Sequence, residues 1–373
     1  MDGADQSVVT AIEEFCRAVL EPRAAAIDAE GEFATCHLAA LADMGLMGFN
    51  LPDIWGGAGV NPFTLFEGTA KVAGACGSTA SMVTAHWLAT DSILHGGDDA
   101  QRKRWLVPAA SGKALGAFGL TEPNAGSNPA DMTTFAATLG ERYRIKGRKQ
   151  FISNAAAADF IVLYAKTDRD AGARGISAFV VEPKSGGVEF GPAERTMGLR
   201  GGHVFEVIID AEVPLSHRLG PEGSGFRTAL KVLDAGRLEI AACCIGIAEA
   251  ALMHARNWLK TRNVGGAPIA DFQGLQWMLA DMATDIAAAR GLAFTAVAKR
   301  ARGERFSLDA SMAKLYASEM AGRVTDKALQ MHGGYGYTRD FPLERYVRDA
   351  RIMRIYEGSS EIQRNIIARS ILS

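Results

Sequence analysis

The sequence predicts an α+β multi-domain chain in the order helical, β, helical, and three observations carry that prediction. From Ser7 to about Gly112 apolar residues recur at spacings of three and four, with charges on the opposite face. The period then shortens to short β-rich runs separated by Gly, Pro, Asn and Asp. Long Ala-rich stretches with helical spacing return from Gly225 onward. The resulting division is an N-terminal helical domain over 1–113, a middle β-domain over 114–217 and a C-terminal helical domain over 218–373.

In the first domain "SVVTAIEEFCRAVLEPRAA" and "CHLAALADMGLMGF" read as amphipathic helices, and "LPDIWGGAGVNP" as a loop. The strands of the second are "YRIKGRKQFISN", "DFIVLYAKTD", "GISAFVVEP" and "HVFEVIIDAEVP", with no helix between them long enough for a βαβ crossover. In the third, breaks at "NVGGAPIADF", "RARGERFSL" and "QMHGGYGYTRDFPLERY" separate four or five packed helices. Near the end, Ser360 with Gln363 three residues on forms a capping-box pattern, and Ile362, Ile366 and Ile367 share one face of the helix that follows.

Composition narrows the function. The 373 residues include 40 basic and 42 acidic side chains without a run of five like charges, so there is no footprint for nucleic acid or an anionic membrane. No uninterrupted apolar run reaches the roughly 18 residues of a membrane span. The five cysteines, Cys16, Cys36, Cys76, Cys243 and Cys244, form no C-x-x-C pair, which fits a reduced, cytoplasmic setting. No His or Cys cluster has metal spacing, and neither a G-x-S-x-G elbow nor a P-loop is present.

Four stretches carry candidate chemistry. "GAFGLTEPNAGSNPADMTT" is dense in small residues that let a ligand approach the backbone, with Thr121 and Ser127 as polar contacts; a plain surface loop has the same composition. Gly333, Gly334 and Gly336, between Tyr335 and Tyr337, suit either a planar or anionic ligand or a helix end followed by a tight loop. His332 is a lone histidine and reads as packed or surface, and Cys243–Cys244 as buried core. Glu357 in "RIYEGSSEIQR" lies just outside a helix N-terminus, where the helix dipole alone favours a negative charge.

Taken together, "LTEPNAGS", "FISN", "FQGLQWMLADM", "QMHGGYGY" and "RDARIMRIYEGSSEIQR" resemble the acyl-CoA dehydrogenase family, in its order and spacing, from about residue 7 to the end. Within it the isobutyryl-type, short- and branched-chain members are the most similar. The resemblance implies an N-terminal helical domain, a middle β-barrel-like domain and a C-terminal four-helix bundle, usually assembled as a homotetramer with FAD bound between domains and across a subunit interface. It implies Glu357 as the catalytic base that removes the substrate α-proton while the β-hydride passes to flavin N5. Some relatives carry the base at the position of Gly236 here, which glycine cannot serve. The base works because the thioester oxygen accepts hydrogen bonds that stabilise enolate-like charge; in the family the donors are the backbone N–H of the catalytic Glu and a ribityl hydroxyl. Beside Ile355 and Tyr356 the carboxyl is expected to have a raised pKa.

The same resemblance implies FAD contacts at Phe118, Leu120, Thr121, Ser127, Phe151, Ile152 and Ser153, and at Arg262, Gln273, Gln330, Gly333, Gly334 and Ser359. It implies acyl-CoA contacts at Ser127, Asp234, Arg237 and Gly358, with an electron-transfer flavoprotein as acceptor. The chain departs from the family at Phe151 and Ser153, where many members have Trp and Thr, and at Asn128, where Asp is common. Gly265 replaces the Phe of Arg-x-x-Phe-Gly, removing an aromatic contact near the cofactor. "LRGGHV" lacks the usual hydroxyl residue after Arg200 and is one residue short at Gly201-Gly202-His203. The leading expectation is FAD-dependent α,β-dehydrogenation of a short or branched-chain acyl-CoA. A non-redox homologue such as a desulfinase is the second reading, weakened by the presence of Glu357, and a non-catalytic assembly subunit is the third.

Overall fold

The computed structural model describes residues 3–373. Helices α1 (Gly3–Phe15), α2 (Glu21–Glu30), α3 (Leu38–Asp43), α4 (Pro62–Ala75), α5 (Gly77–Gly96) and α6 (Asp99–Ala110) form the N-terminal part. Their ends follow local chemistry: the Asn61 side chain accepts from Phe63 and Thr64 N–H ahead of Pro62, and Asp98 with Gln101 closes a capping box on α6.

Eight strands follow: β1 (Gly116–Gly119), β2 (Phe135–Leu139), β3 (Arg142–Ser153), β4 (Phe160–Lys166), β5 (Ile176–Val181), β6 (Val188–Phe190), β7 (Val204–Pro214) and β8 (Arg218–Leu219). They make one mixed sheet in the order β6-β7-β3-β2-β4-β5-β8, with β1 parallel to β4. Its last strand lies just beyond the sequence boundary at 217. Long α7 (Gly225–Thr261), α8 (Gln273–Ala301) and α9 (Ser307–His332), with shorter α10 (Leu343–Ile352) and α11 (Ser360–Leu372), form the C-terminal bundle. Between α7 and α8 lies a hairpin of β9 (Asn263–Val264) and β10 (Ala267–Pro268).

The two helical parts share a single core. Ile12, Leu41, Phe66 and Trp87 belong to the same buried cluster as Ile240, Ile245, Met282, Met320 and Val324. α4 crosses α7 at small residues, where a Cβ on Gly246 would overlap the Ala70 carbonyl and one on Gly74 would press on the Gly246 carbonyl. The sheet packs one face, including Val162, Tyr164 and Val180, against Ile93 of α5 and Leu106 of α6. Its other face holds a core of its own with Tyr143, Ile145, Phe179 and Val207. α7 is long and apolar enough by composition to cross a membrane, but most of its apolar stretch is buried inside the protein, as the central helix of the bundle requires.

Candidate active site

After α10 the chain reverses through a turn in which Glu357 has φ 51° and Gly358 φ 89°. A left-handed Glu costs about 1–3 kcal/mol and persists only where its surroundings impose it. Here Lys314 Nζ donates to the carbonyls of Tyr356 (3.1 Å) and Gly358 (2.6 Å). Gln363 Nε2 donates to those of Glu357 (3.3 Å) and Gly358 (3.0 Å). The expected capping box does not form: Ser359 Oγ, not Ser360, accepts from Ile362 N–H and caps α11, with Ile362 rather than Gln363 at the third helical position. Ser360 instead donates to Glu319 (2.8 Å), and Gln363 serves the turn because positive φ at 357 and 358 aims these carbonyls at it.

The turn points Glu357 into a cavity of about 310 Å³ between α5, α7, the β-domain and α11. Apolar walls come from Ala85, Leu88, Phe226, Leu230, Leu233, Ile362 and Ile366, and polar groups from Ser81, Thr84 and Arg237. Among the described residues Glu357 Oε2 is sealed from solvent without a hydrogen-bond partner, and the Glu357 N–H has no backbone acceptor. Burial pushes the Glu357 carboxyl up from 4.5 to about 7, opposed by the positive charges of Lys314 and Arg237. Gly236 makes room for it, since a Cβ there would overlap Oε2 and touch Leu88.

The β-domain supplies the facing wall: Phe118, Leu120, Thr121, Gly126, Ser127, Asn128, Pro129, Phe151, Ile152 and Ser153. A bulge between Lys149 and Ile152, where β3 pairs β7, puts Phe151 at φ 57° and leaves the residue 62% exposed. Behind it, fully buried Lys149 donates to Leu120 O (3.1 Å) and Glu122 (2.9 Å). Burial pushes the Glu122 carboxyl up, but Lys149 and bonds from Thr133 and Thr134 hold it down at about 2. This ion pair pins residues 120–134 to β3. Asn128 bonds Asp131 within the loop (2.8 Å) while also lining the cavity.

Arg262, Gln330, Gly333 and Gly334 line a second cavity of about 520 Å³ with Trp258, Phe272, His332 and Tyr335. No residue lines both cavities. Gly333, at φ 59°, also ends α9, so the glycine-rich stretch is both a helix end and a cavity wall. The Arg262 guanidinium lies over the rings of Trp258 and Tyr335 and makes no ion pair among the described residues. His332 is buried and stacked on Trp258.

Three expected contacts lie outside both walls. Asp234 binds Arg237 and Ser307 and so steadies the arginine from behind. Gln273 is exposed at the start of α8, beside the wall residues Phe272 and Leu275, and Ser359 is spent on its cap. Gly265 and Gly266, at φ 63° and 86°, form the two-residue turn of the β9–β10 hairpin, a conformation Phe would strain. The Gly201-Gly202-His203 stretch serves domain packing: a Cβ on Gly201 would overlap Ile27, and His203 bonds Gly31 O (2.8 Å) and stacks on Phe33.

Sequence reasoning missed the α5 wall, Lys314, Gln363 and the Lys149–Glu122 pair. For Gln363 the signal was present but assigned to capping. No group of three or more His, Cys, Asp or Glu among the described residues is arranged to hold a metal ion.

Models of the N-terminal, middle and C-terminal domains of acyl-CoA dehydrogenase match residues 4–113, 117–211 and 223–372. Fold and site thus define a flavin-dependent oxidoreductase. The chain belongs to the acyl-CoA dehydrogenase family, and its cofactor is FAD. It is 40% identical over 362 residues to the short-chain-specific acyl-CoA dehydrogenase of Clostridium acetobutylicum, covering 96% of each chain. It is also 40% identical to the acryloyl-CoA reductase (NADH) of Anaerotignum propionicum, covering 96% of this chain and 92% of that one. The butyryl-CoA dehydrogenase structure from Megasphaera elsdenii superposes with a TM-score of 0.97 at 36% identity, covering 100% and 99% of the two chains. The residues present fit the cofactor: an exposed Phe151, hydroxyls of Thr121, Ser127 and Ser153 with no partner among the described residues, and an unpaired Arg262.

Proposed function

We propose that this protein carries out α,β-dehydrogenation of a short acyl-CoA, straight or branched, with Glu357 as the base for the α-proton. The carrying observation is the unpartnered Oε2 of Glu357 in the cavity, on a carboxyl whose pKa of about 7 suits proton exchange near neutrality. The Glu357 N–H, without a backbone acceptor, is available to the thioester oxygen, where it would stabilise enolate-like charge. Arg237 at the wall, steadied by Asp234, adds positive charge nearby, and Leu88 limits the depth available to the acyl chain beside Gly236. FAD, when bound, supplies the hydride acceptor, held by Phe118–Thr121, Ser127 and Phe151–Ser153.

The short-chain substrate is supported by the short-chain-specific and butyryl-CoA relatives. An electron-transfer flavoprotein as acceptor, a homotetramer and a cytoplasmic setting complete the reading. The reverse reaction, reduction of an enoyl-CoA, is the second reading because of the acryloyl-CoA reductase relative. Both directions use the same base position.

The test is anaerobic titration of the FAD-loaded protein with butyryl-, isobutyryl- and longer acyl-CoAs, following the visible flavin band. The expected result is rapid bleaching by the short esters, slowed by at least about 100-fold in Glu357→Gln. A flavin that no acyl-CoA bleaches sinks dehydrogenation, and reoxidation of reduced enzyme by enoyl-CoA alone would favour the reductase.

A further inference from the structure

A fully buried ammonium group lies under the turn that carries Glu357. Lys314 on α9 is 0% exposed and makes no ion pair among the described residues. Among the described residues its Nζ bonds only the two carbonyls that flank Glu357, those of Tyr356 and Gly358. A charge held by carbonyl dipoles alone is expensive to bury, and burial lowers the Lys314 pKa from 10.5 to about 8. Burial alone does not call for a charge at this position, which an apolar side chain would fill more cheaply.

What the ammonium does is local. Without it, the carbonyls of Tyr356 and Gly358 lose the donor on which they converge, and Glu357 loses part of what imposes its left-handed conformation. Gln363, from α11, completes the grip on three successive carbonyls, 356 to 358. We propose that Lys314 is a positioning residue for proton abstraction, locking the left-handed turn at Glu357 and favouring the ionised form of its carboxyl with a buried positive charge. The inference rests on Glu357 being the base.

Other groups face the same carboxyl. From α7 come Arg237, of the same sign as Lys314, with buried Glu239 and the Cys243 thiol, whose proton affinities Glu357 raises. From α9, Glu319 is engaged by Ser360 and Arg354, and from α11, Glu361 lies at the exposed start of the helix. Tyr356 flanks it on the turn itself. Of the charged groups, Lys314 alone bonds the carbonyls on both sides of Glu357.

The experiment uses FAD-loaded Lys314→Met, Lys314→Gln, Lys314→Arg and Gln363→Ala proteins with two readouts: the pH dependence of anaerobic flavin reduction by butyryl-CoA, and deuterium exchange of the amides of 354–363. In Lys314→Met the acid limb is expected to move up by about one pH unit, a tenfold loss of rate on that limb, with faster exchange. Lys314→Gln keeps a donor without charge, so the limb moves and exchange changes less. Lys314→Arg restores the limb, and Gln363→Ala quickens exchange without moving it. A wild-type limb in Lys314→Met or Lys314→Gln overturns the proposal, as does wild-type exchange in Lys314→Met; if the Met protein does not fold, the Gln and Ala variants decide. A wild-type protein that acyl-CoA does not reduce counts against dehydrogenation instead, and the exchange comparison still decides the lock.

Discussion

Because burial raises the Glu357 carboxyl from 4.5 to about 7, the folded protein binds a proton there that the unfolded chain has already released between those pH values. Stability is therefore fully present below about 4.5 and declines as pH rises through about 7. Glu357→Gln removes this cost. Its melting temperature is expected to exceed wild type at pH 8, with the difference closing toward pH 5, as calorimetry at both pH values would show. An equal difference at both would mean that the carboxyl is not held neutral by burial. Gly236 poses the complementary case. Gly236→Ala places a methyl against Oε2 and Leu88, so turnover is expected to fall at least about tenfold while FAD content, read from the absorbance ratio, stays near wild type. Loss of FAD instead of turnover would contradict this placement.

At the scale of elements, helix periods and strand alternation were legible because each depends on neighbours a few residues away. The crossing of α4 and α7 was not, since it depends on Gly74 and Gly246 meeting across the core. Gly246→Ala is expected to cost about 1–3 kcal/mol, read as a lower urea midpoint with unchanged FAD stoichiometry; an unchanged midpoint would show that the helices separate freely. The bulge that exposes Phe151 was equally hidden, because a run of strand-forming residues carries no mark of which residue drops out of register. Glycines in "RNVGG" could have announced a two-residue hairpin turn, a signal that comparison with the family's Phe obscured.

At the scale of the whole molecule, the residues expected to bind FAD, Gln273 and Ser359 apart, divide between two cavities with none in common. In the proposed homotetramer, the Arg262 cavity of one subunit serves the Glu357 cavity of another. Two inactive variants, Glu357→Gln and Arg262→Glu, are then expected to regain acyl-CoA-dependent flavin reduction when co-expressed and purified as mixed oligomers. No regained activity in mixed oligomers, or a monomer by sedimentation, would overturn the arrangement.

Sequence alone determined the order of helical and β segments and the three motif-bearing loops, since these reside in local period and in residue type at fixed spacing; Glu357 stood out only through the resemblance of its motif to the family. Tertiary structure decided the rest. It merged the two helical domains into one core, moved Asp234 behind Arg237, gave Ser359 to a cap, and brought Lys314, 43 residues upstream, under the turn. The physical reason is that burial, a missing hydrogen-bond partner and a left-handed backbone are properties of what surrounds a residue, and those surroundings come from segments that sequence spacing does not connect.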